Sequence, residues 1–281
     1  MLKHHERKLD NKDRKIMEII KEIKFSKTII FRLSFNKLKL SYVQTVLGPF
    51  YHYFLPFFQT LIFNFLLTDI ANIEVSAGGQ YPNFLFYFTG FVMWNYFASN
   101  TIQMSTVYLE HNKIIENIYV SRLTFFFIPL INNFIPLIMG LINIFIMVIY
   151  FEINNGLISK IFYLLPIILL TIILSTSLGL IVAGLSIKYR DIIKSIGVLL
   201  QFFLMFSGVL YSQGQIPDNF HLIAYLNPFF LITETSRWIW LSNPFLINTD
   251  QIFSQLFITL IIFVLSIIIF KKTEKNIADY L

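Results

Sequence analysis

The sequence contains no cysteine, and Asp, Glu, Lys and Arg together make up only 14% of its 281 residues. Without cysteine there is no disulfide framework, no thiolate metal site and no acylated thiol. A soluble domain carries roughly a quarter charged residues, and half that supply does not cover a compact surface with polar groups. No glycine-rich loop ending in Lys and Ser or Thr occurs, so no Walker-type nucleotide motif is present. No cluster of His, Asp and Glu suggests a metal or a hydrolytic centre. A soluble enzyme, a disordered tail and a collagen-like fibre are all excluded.

What the chain has in excess is apolar sequence: 56% of residues are hydrophobic, 32 of them Phe. The excess is blocky, and Leu256–Phe270 holds no charge at all. An apolar solvent tolerates Phe, so its abundance needs no special role. Helices rise about 1.5 Å per residue, so ~20 apolar residues cross a bilayer core. Six stretches qualify as candidate spans, roughly 47–68, 83–107, 123–150, 161–187, 195–210 and 251–270. The fold class expected is an all-α membrane protein. Pro56, Pro129, Pro136 and Pro166 fall within these stretches, where kinks are tolerated if neighbours satisfy the backbone.

The formal net charge of +6 would suggest nucleic acid in a soluble protein, but its placement reads as membrane topology instead. Twenty of the 22 Lys and Arg residues lie in segments 1–46, 108–122, 188–194 and 271–281. Only Lys160 and Arg237 lie in the alternate connections. Basic residues mark the cytoplasmic side, so both termini are expected there and no nucleic-acid partner is implied. No Asp, Glu, Lys or Arg falls inside a candidate span, and His52, the one histidine at a span, lies close to an end. Transporters that carry their own ion coupling place ionisable groups at mid-membrane. The energy source is therefore expected on another chain.

Three segments depart from plain spans. Segment 26–44 spaces Phe31, Phe35, Leu38 and Tyr42 on one helix face, with Arg32 and Lys39 on a neighbouring stripe. Rings in the headgroup layer and cations against anionic lipid suit an interface helix, although Leu33 and Leu40 imply that one flank meets protein. Segment 108–122 mixes Ile114, Ile115 and Ile118 with Lys113, Glu116 and Arg122; a docking surface has this composition, and so does a capped loop helix. Segment 211–250 is apolar and aromatic but broken by Gly214, Pro217, Pro228 and Pro244. It is expected to form short re-entrant or interfacial helices at the outer face.

In order along the chain stand YVQTVLGPFYHYFLP (42–56), GFVMWNYF (90–97), IYVSR (118–122), KYRDI (188–192), SGVLY (207–211) with Ile216 and Pro217, LNP (226–228), Arg237 with Trp238, and IADY (277–280). From about Arg32 to Leu281 this resembles the permease subunit of ABC-2 type polysaccharide exporters, the group moving O-antigen, capsule and teichoic acid. The resemblance implies a homodimer of six-span protomers completed by two copies of a separate ATPase chain, which binds ATP and Mg; no cofactor is implied in this chain. It also implies membrane-lipid contact and a lipid-linked glycan as substrate. By the same resemblance the ATPase-coupling candidates are Glu110, Lys113, Glu116, Arg122, Lys188, Arg190 and Asp191. Tyr87, Trp94, Tyr96 and Phe97, with Tyr211 and Trp238 outside, are candidates for the glycan path, because sugar C–H faces rest on aromatic rings. Each can equally be ordinary packing. The sequence departs from the family's usual pattern at Ser41, Tyr51, Met93, Ser121 and Gly208, and at Glu116 and Asn117, where basic residues are frequent. An ABC-2 permease for a small lipid or drug is the alternative.

Overall fold

The computed structural model describes residues 27–43, 50–73, 75, 81–111, 122–153, 156–186, 188–189, 191–241 and 243–274; among these every regular element is helical. In chain order they are α1 (Lys27–Val43), α2 (Phe50–Asn64, widening into a π turn over Phe65–Ile70) and α3 (Asn83–Glu110). A 3₁₀ turn, Arg122–Phe126, leads into α4 (Phe127–Tyr150), and short turns from Leu157 lead into α5 (Leu164–Ser186). Then come α6 (Asp191–Met205), α7 (His221–Leu226), α8 (Pro228–Leu241) and α9 (Thr249–Glu274).

Among the described residues three stretches are long and apolar enough to cross a membrane: Arg122–Tyr150, Leu157–Ser186 and Thr249–Thr273. In an apolar solvent every backbone polar group must be satisfied within the segment, which selects helix there. Their outward faces are apolar, with Ile138, Ile142 and Ile146 on α4 and Phe253, Phe257 and Leu260 on α9 exposed. Helix α3 is as long but richer in Asn, Gln, Ser and Thr. The reason lies in its position: α2, α4, α5 and α8 pack around it, and its polar side chains meet protein.

Glycines set how closely these helices approach. A Cβ on Gly140 of α4 would stand 2.7 Å from a Val92 methyl of α3, and one on Gly179 of α5 would stand 2.6 Å from the Met104 Cβ. Small residues at such crossings let helix backbones approach closely where lipid gives no hydrophobic drive.

The stretch read as the span 195–210 forms a helix of 15 residues that begins at Asp191 and stops at Met205. At about 1.5 Å per residue it rises roughly 22 Å, less than a bilayer core of about 30 Å. It ends because the chain turns through Gly208, whose φ is +73° and against which the Phe230 ring packs at 2.7 Å from a built Cβ. Proline, frequent here in the exporters that the sequence resembles, holds φ near −65° and cannot occupy this turn. The α7–α8 break is equally local. Asn227 caps α8, its Oδ1 accepting the Phe229 N–H at 3.0 Å, and Pro228 takes the first helical position, which needs no donor.

Candidate functional site

At one end of the bundle a single guanidinium ties three stretches of chain together. Arg237, on α8, donates from Nη2 to the Val209 carbonyl at 2.7 Å, from Nη1 to the Tyr211 carbonyl at 3.3 Å, and from Nε to the Phe86 carbonyl at 3.4 Å. Nη1 also reaches Glu234 Oε1 at 3.3 Å, and both side chains are essentially sealed, 0% and 1% exposed. The guanidinium carbon lies 3.4 Å from the centre of the Phe86 ring, a cation–π contact of the kind that strengthens when desolvated. Arg suits this position because its planar fork presents several donors in fixed directions. Glu234 Oε1 in turn accepts the Gln213 N–H at 3.1 Å. Gln213 and Gln251 exchange amide hydrogen bonds at 2.8 and 3.0 Å, joining the loop between α6 and α7 to α9. Tyr81 donates to Asn243 across the same end.

The six glycan-path candidates occupy separate places. Trp94 and Phe97 of α3 both meet Phe229 of α8, with ring centres 5.1 Å apart in each case, and both are buried. Tyr96 faces the other way, edge-on to Phe134 of α4. Tyr87 is buried beside Phe86. Tyr211 contacts Phe230 and donates to the Met205 carbonyl at 2.9 Å. Trp238 forms a half-exposed cluster with Tyr163, Phe245 and the Lys160 ammonium, which sits 5.0 Å from its ring centre.

The opposite end gathers the described coupling candidates. The Ser186 hydroxyl reaches the Ser105 carbonyl at 3.4 Å, which brings the α5–α6 turn, with Lys188 and Asp191, beside the last turns of α3. His111, next to Glu110, has its ring 5.5 Å from that of Phe125, placing the Arg122 turn at the same end. Lys188 lies over the Tyr189 ring and Asp191 opens α6; both are exposed. Glu110 accepts hydrogen bonds from Lys37 Nζ and Thr106 Oγ1, each at 2.7 Å. Burial pushes the Glu110 carboxyl up, but these two donors and the nearby Lys37 and His111 charges outweigh it and hold the pKa below the ordinary 4.5. Lys113, Glu116 and Arg190 lie outside the described residues.

Along α1, Phe31 and Phe35 are exposed, as are Arg32 and Lys39, while Ile30 and Ser34 turn inward. Ile30 joins Met104, Val107, Tyr108, Phe125, Ile128 and Phe270 in an apolar cluster, and α1 packs along α4. The Tyr42 side chain lies outside the described residues. Lys37, Glu234 and the Gln213–Gln251 pair were missed from the sequence. Only the Glu234–Arg237 spacing, three apart in an otherwise uncharged helix, carried a usable signal there.

The ABC-2 type transporter family model matches residues 30–241. Two curated relatives, each called O-antigen export system permease protein RfbA, from Klebsiella pneumoniae, align with most of the chain. They are 24% identical over 250 residues and 26% identical over 251, covering 87% of this chain and 91% of each relative. The family match begins within α1, ends at the last residue of α8 and takes in both ends of the bundle just described. The chain belongs to the ABC-2 type transporter family of membrane permeases.

Proposed function

We propose that this chain is the permease subunit of an ABC exporter that moves a lipid-linked polysaccharide from the cytoplasmic side across the inner or plasma membrane. The observation that carries the reading is the similarity of most of its length to two O-antigen export permeases. The sequence supports it independently, since it has no nucleotide loop and no Asp, Glu, Lys or Arg within a candidate span. ATP and Mg are then handled by a partner ATPase in two copies, and this chain works as a homodimer of six-span protomers with cytoplasmic termini. The polysaccharide is of the O-antigen kind; capsule and teichoic acid are chemically similar cargoes.

In this mechanism closure of the ATPase pushes on segment 108–122 and on the α5–α6 turn. The push reaches α3 through its last turn and shifts the helices around it, opening a path between protomers. Segment 211–250 borders the exit, and α1 lies along the cytoplasmic headgroup layer with Phe31 and Phe35 in lipid. Co-reconstitution with the ATPase in vesicles tests the reading. ATP-dependent transfer of lipid-linked polysaccharide to the opposite leaflet is expected. ATP turnover stimulated by a small lipid or drug, with no polysaccharide moved, would instead establish the alternative permease.

A further inference from the structure

At the end of the bundle that holds the sealed Arg237, a second basic residue is left accessible. Lys160 sits in the turns that lead into α5, near the start of the apolar stretch Leu157–Ser186. Its ammonium lies 5.0 Å from the centre of the Trp238 ring and donates to the Trp238 carbonyl at 3.3 Å. That carbonyl belongs to the last turn of α8, where the acceptors have no partner within the helix. Tyr163 and Phe245 close on the same indole, with ring centres 5.3 and 5.8 Å from it. The ammonium is thus held in place without being neutralised. An ammonium carries three N–H donors, and one is taken by the carbonyl. Among the described residues no carboxylate pairs with it.

From the ammonium an apolar track runs along the helix. Ile161, Leu165, Leu169 and Ile173 are all exposed, and their spacing stacks them on one face of α5 and the turn before it. The next position in that row, Ser177, is fully buried. From Ile161 to Ile173 the chain rises roughly 18 Å at about 1.5 Å per residue, a little over half of a ~30 Å bilayer core. The track therefore has the length of one leaflet, with the cation at its head. A free anion would use the ammonium and leave the track bare, whereas a phosphate joined to an acyl chain uses both. A zwitterionic headgroup brings its own cation to the phosphate; an anionic one complements Lys160.

We propose that Lys160, Trp238 and the α5 track form a binding site for an anionic phospholipid. Its phosphate rests on the ammonium and one acyl chain lies along Ile161, Leu165, Leu169 and Ile173. The site requires that α5 spans the bilayer and does not rest on the transport reading. Tryptophan fluorescence tests it, because the chain has three tryptophans and only Trp238 is half-exposed, Trp94 and Trp240 being buried. The full chain in phosphatidylcholine vesicles is titrated with phosphatidylglycerol brominated in its acyl chains, and separately with brominated phosphatidylcholine. The anionic lipid is expected to quench at about fivefold lower mole fraction, the factor one basic residue gives beside an anionic headgroup. Lys160→Gln keeps the packed stem and should abolish that preference, and Lys160→Arg should retain it. Trp238→Phe should remove the selective signal. Equal quenching by both lipids in the unaltered chain, or a preference that survives Lys160→Gln, overturns the site and leaves Lys160 an interfacial anchor only. A preference erased by inorganic phosphate at constant ionic strength overturns the lipid as occupant, because the ammonium would then take phosphate alone.

Discussion

Lys37 and Glu110 stand 73 residues apart in the chain, yet their charged groups meet at 2.7 Å, tying α1 to the last turn of α3. The carboxyl pKa is held below its ordinary value, so the contribution to stability is full above the unfolded glutamate range and is lost as pH falls through the lowered folded value. Both side chains are about a third exposed, which limits the effect to about 1 kcal/mol or less. Unfolding in detergent should show Glu110→Gln slightly less stable than the unaltered chain at neutral pH, with the gap closing in acid. A gap independent of pH would assign the difference to packing.

Charge reversal at the segment that follows tests the ATPase contact. Arg122→Glu and Glu116→Lys are expected to reduce co-purification of the ATPase while membrane insertion stays normal. Full ATPase recovery with both variants would place the contact elsewhere.

Truncating the buried guanidinium should be costly. Arg237→Met leaves Glu234 charged and sealed and strips the donor from three backbone carbonyls, for a loss of about 3–5 kcal/mol. Adding Glu234→Leu removes the stranded charge and should restore part of the folded yield, measured as the monodisperse fraction on gel filtration. A double variant worse than the single would show that Glu234 is held mainly by the Gln213 backbone N–H.

The two glycines that differ most in surroundings make a matched pair. Gly179→Val drives a methyl group into Met104 and should cost about 1–3 kcal/mol or more through overpacking. Gly197 has nothing within 4 Å of a built Cβ, so Gly197→Ala should be neutral or slightly stabilising in the isolated protomer. If Gly197→Ala instead weakens self-association while monomer stability is kept, the α6 face is covered by a second copy.

Aromatic truncations should separate packing from path. Trp94→Ala removes a ring wedged against Phe97 and Phe229 and is expected to lower folded yield by about 3–5 kcal/mol of stability. Trp238→Ala removes a half-exposed ring and should leave yield near normal while polysaccharide export falls. Normal export with Trp238→Ala would remove that ring from the path.

The apolar runs that became α4, α5 and α9 were legible because lipid-facing helices need nothing but length and hydrophobicity. Helix α3 was legible as a helix, but its asparagines gave no sign that Asn100 would meet Asn133, since an amide's partner is set by helix rotation rather than by local spacing. The end of α6 was misplaced because its boundary depends on a left-handed turn at Gly208 against Phe230, a contact across 22 residues. Arg237 was visible as a charge three residues after Glu234, yet its other partners are carbonyls, which every residue possesses and which leave no mark in a sequence.

That choice of partner has a consequence for how this end of the bundle can vary. A clamp built on side chains would bind the identity of each partner, so that a change at one would demand a change at another. Arg237 instead grips main chain at Val209 and Tyr211, and its hold there is indifferent to what those positions carry. The loop at this end is thus free to drift in surface chemistry, while its path through space stays fixed by one residue on α8.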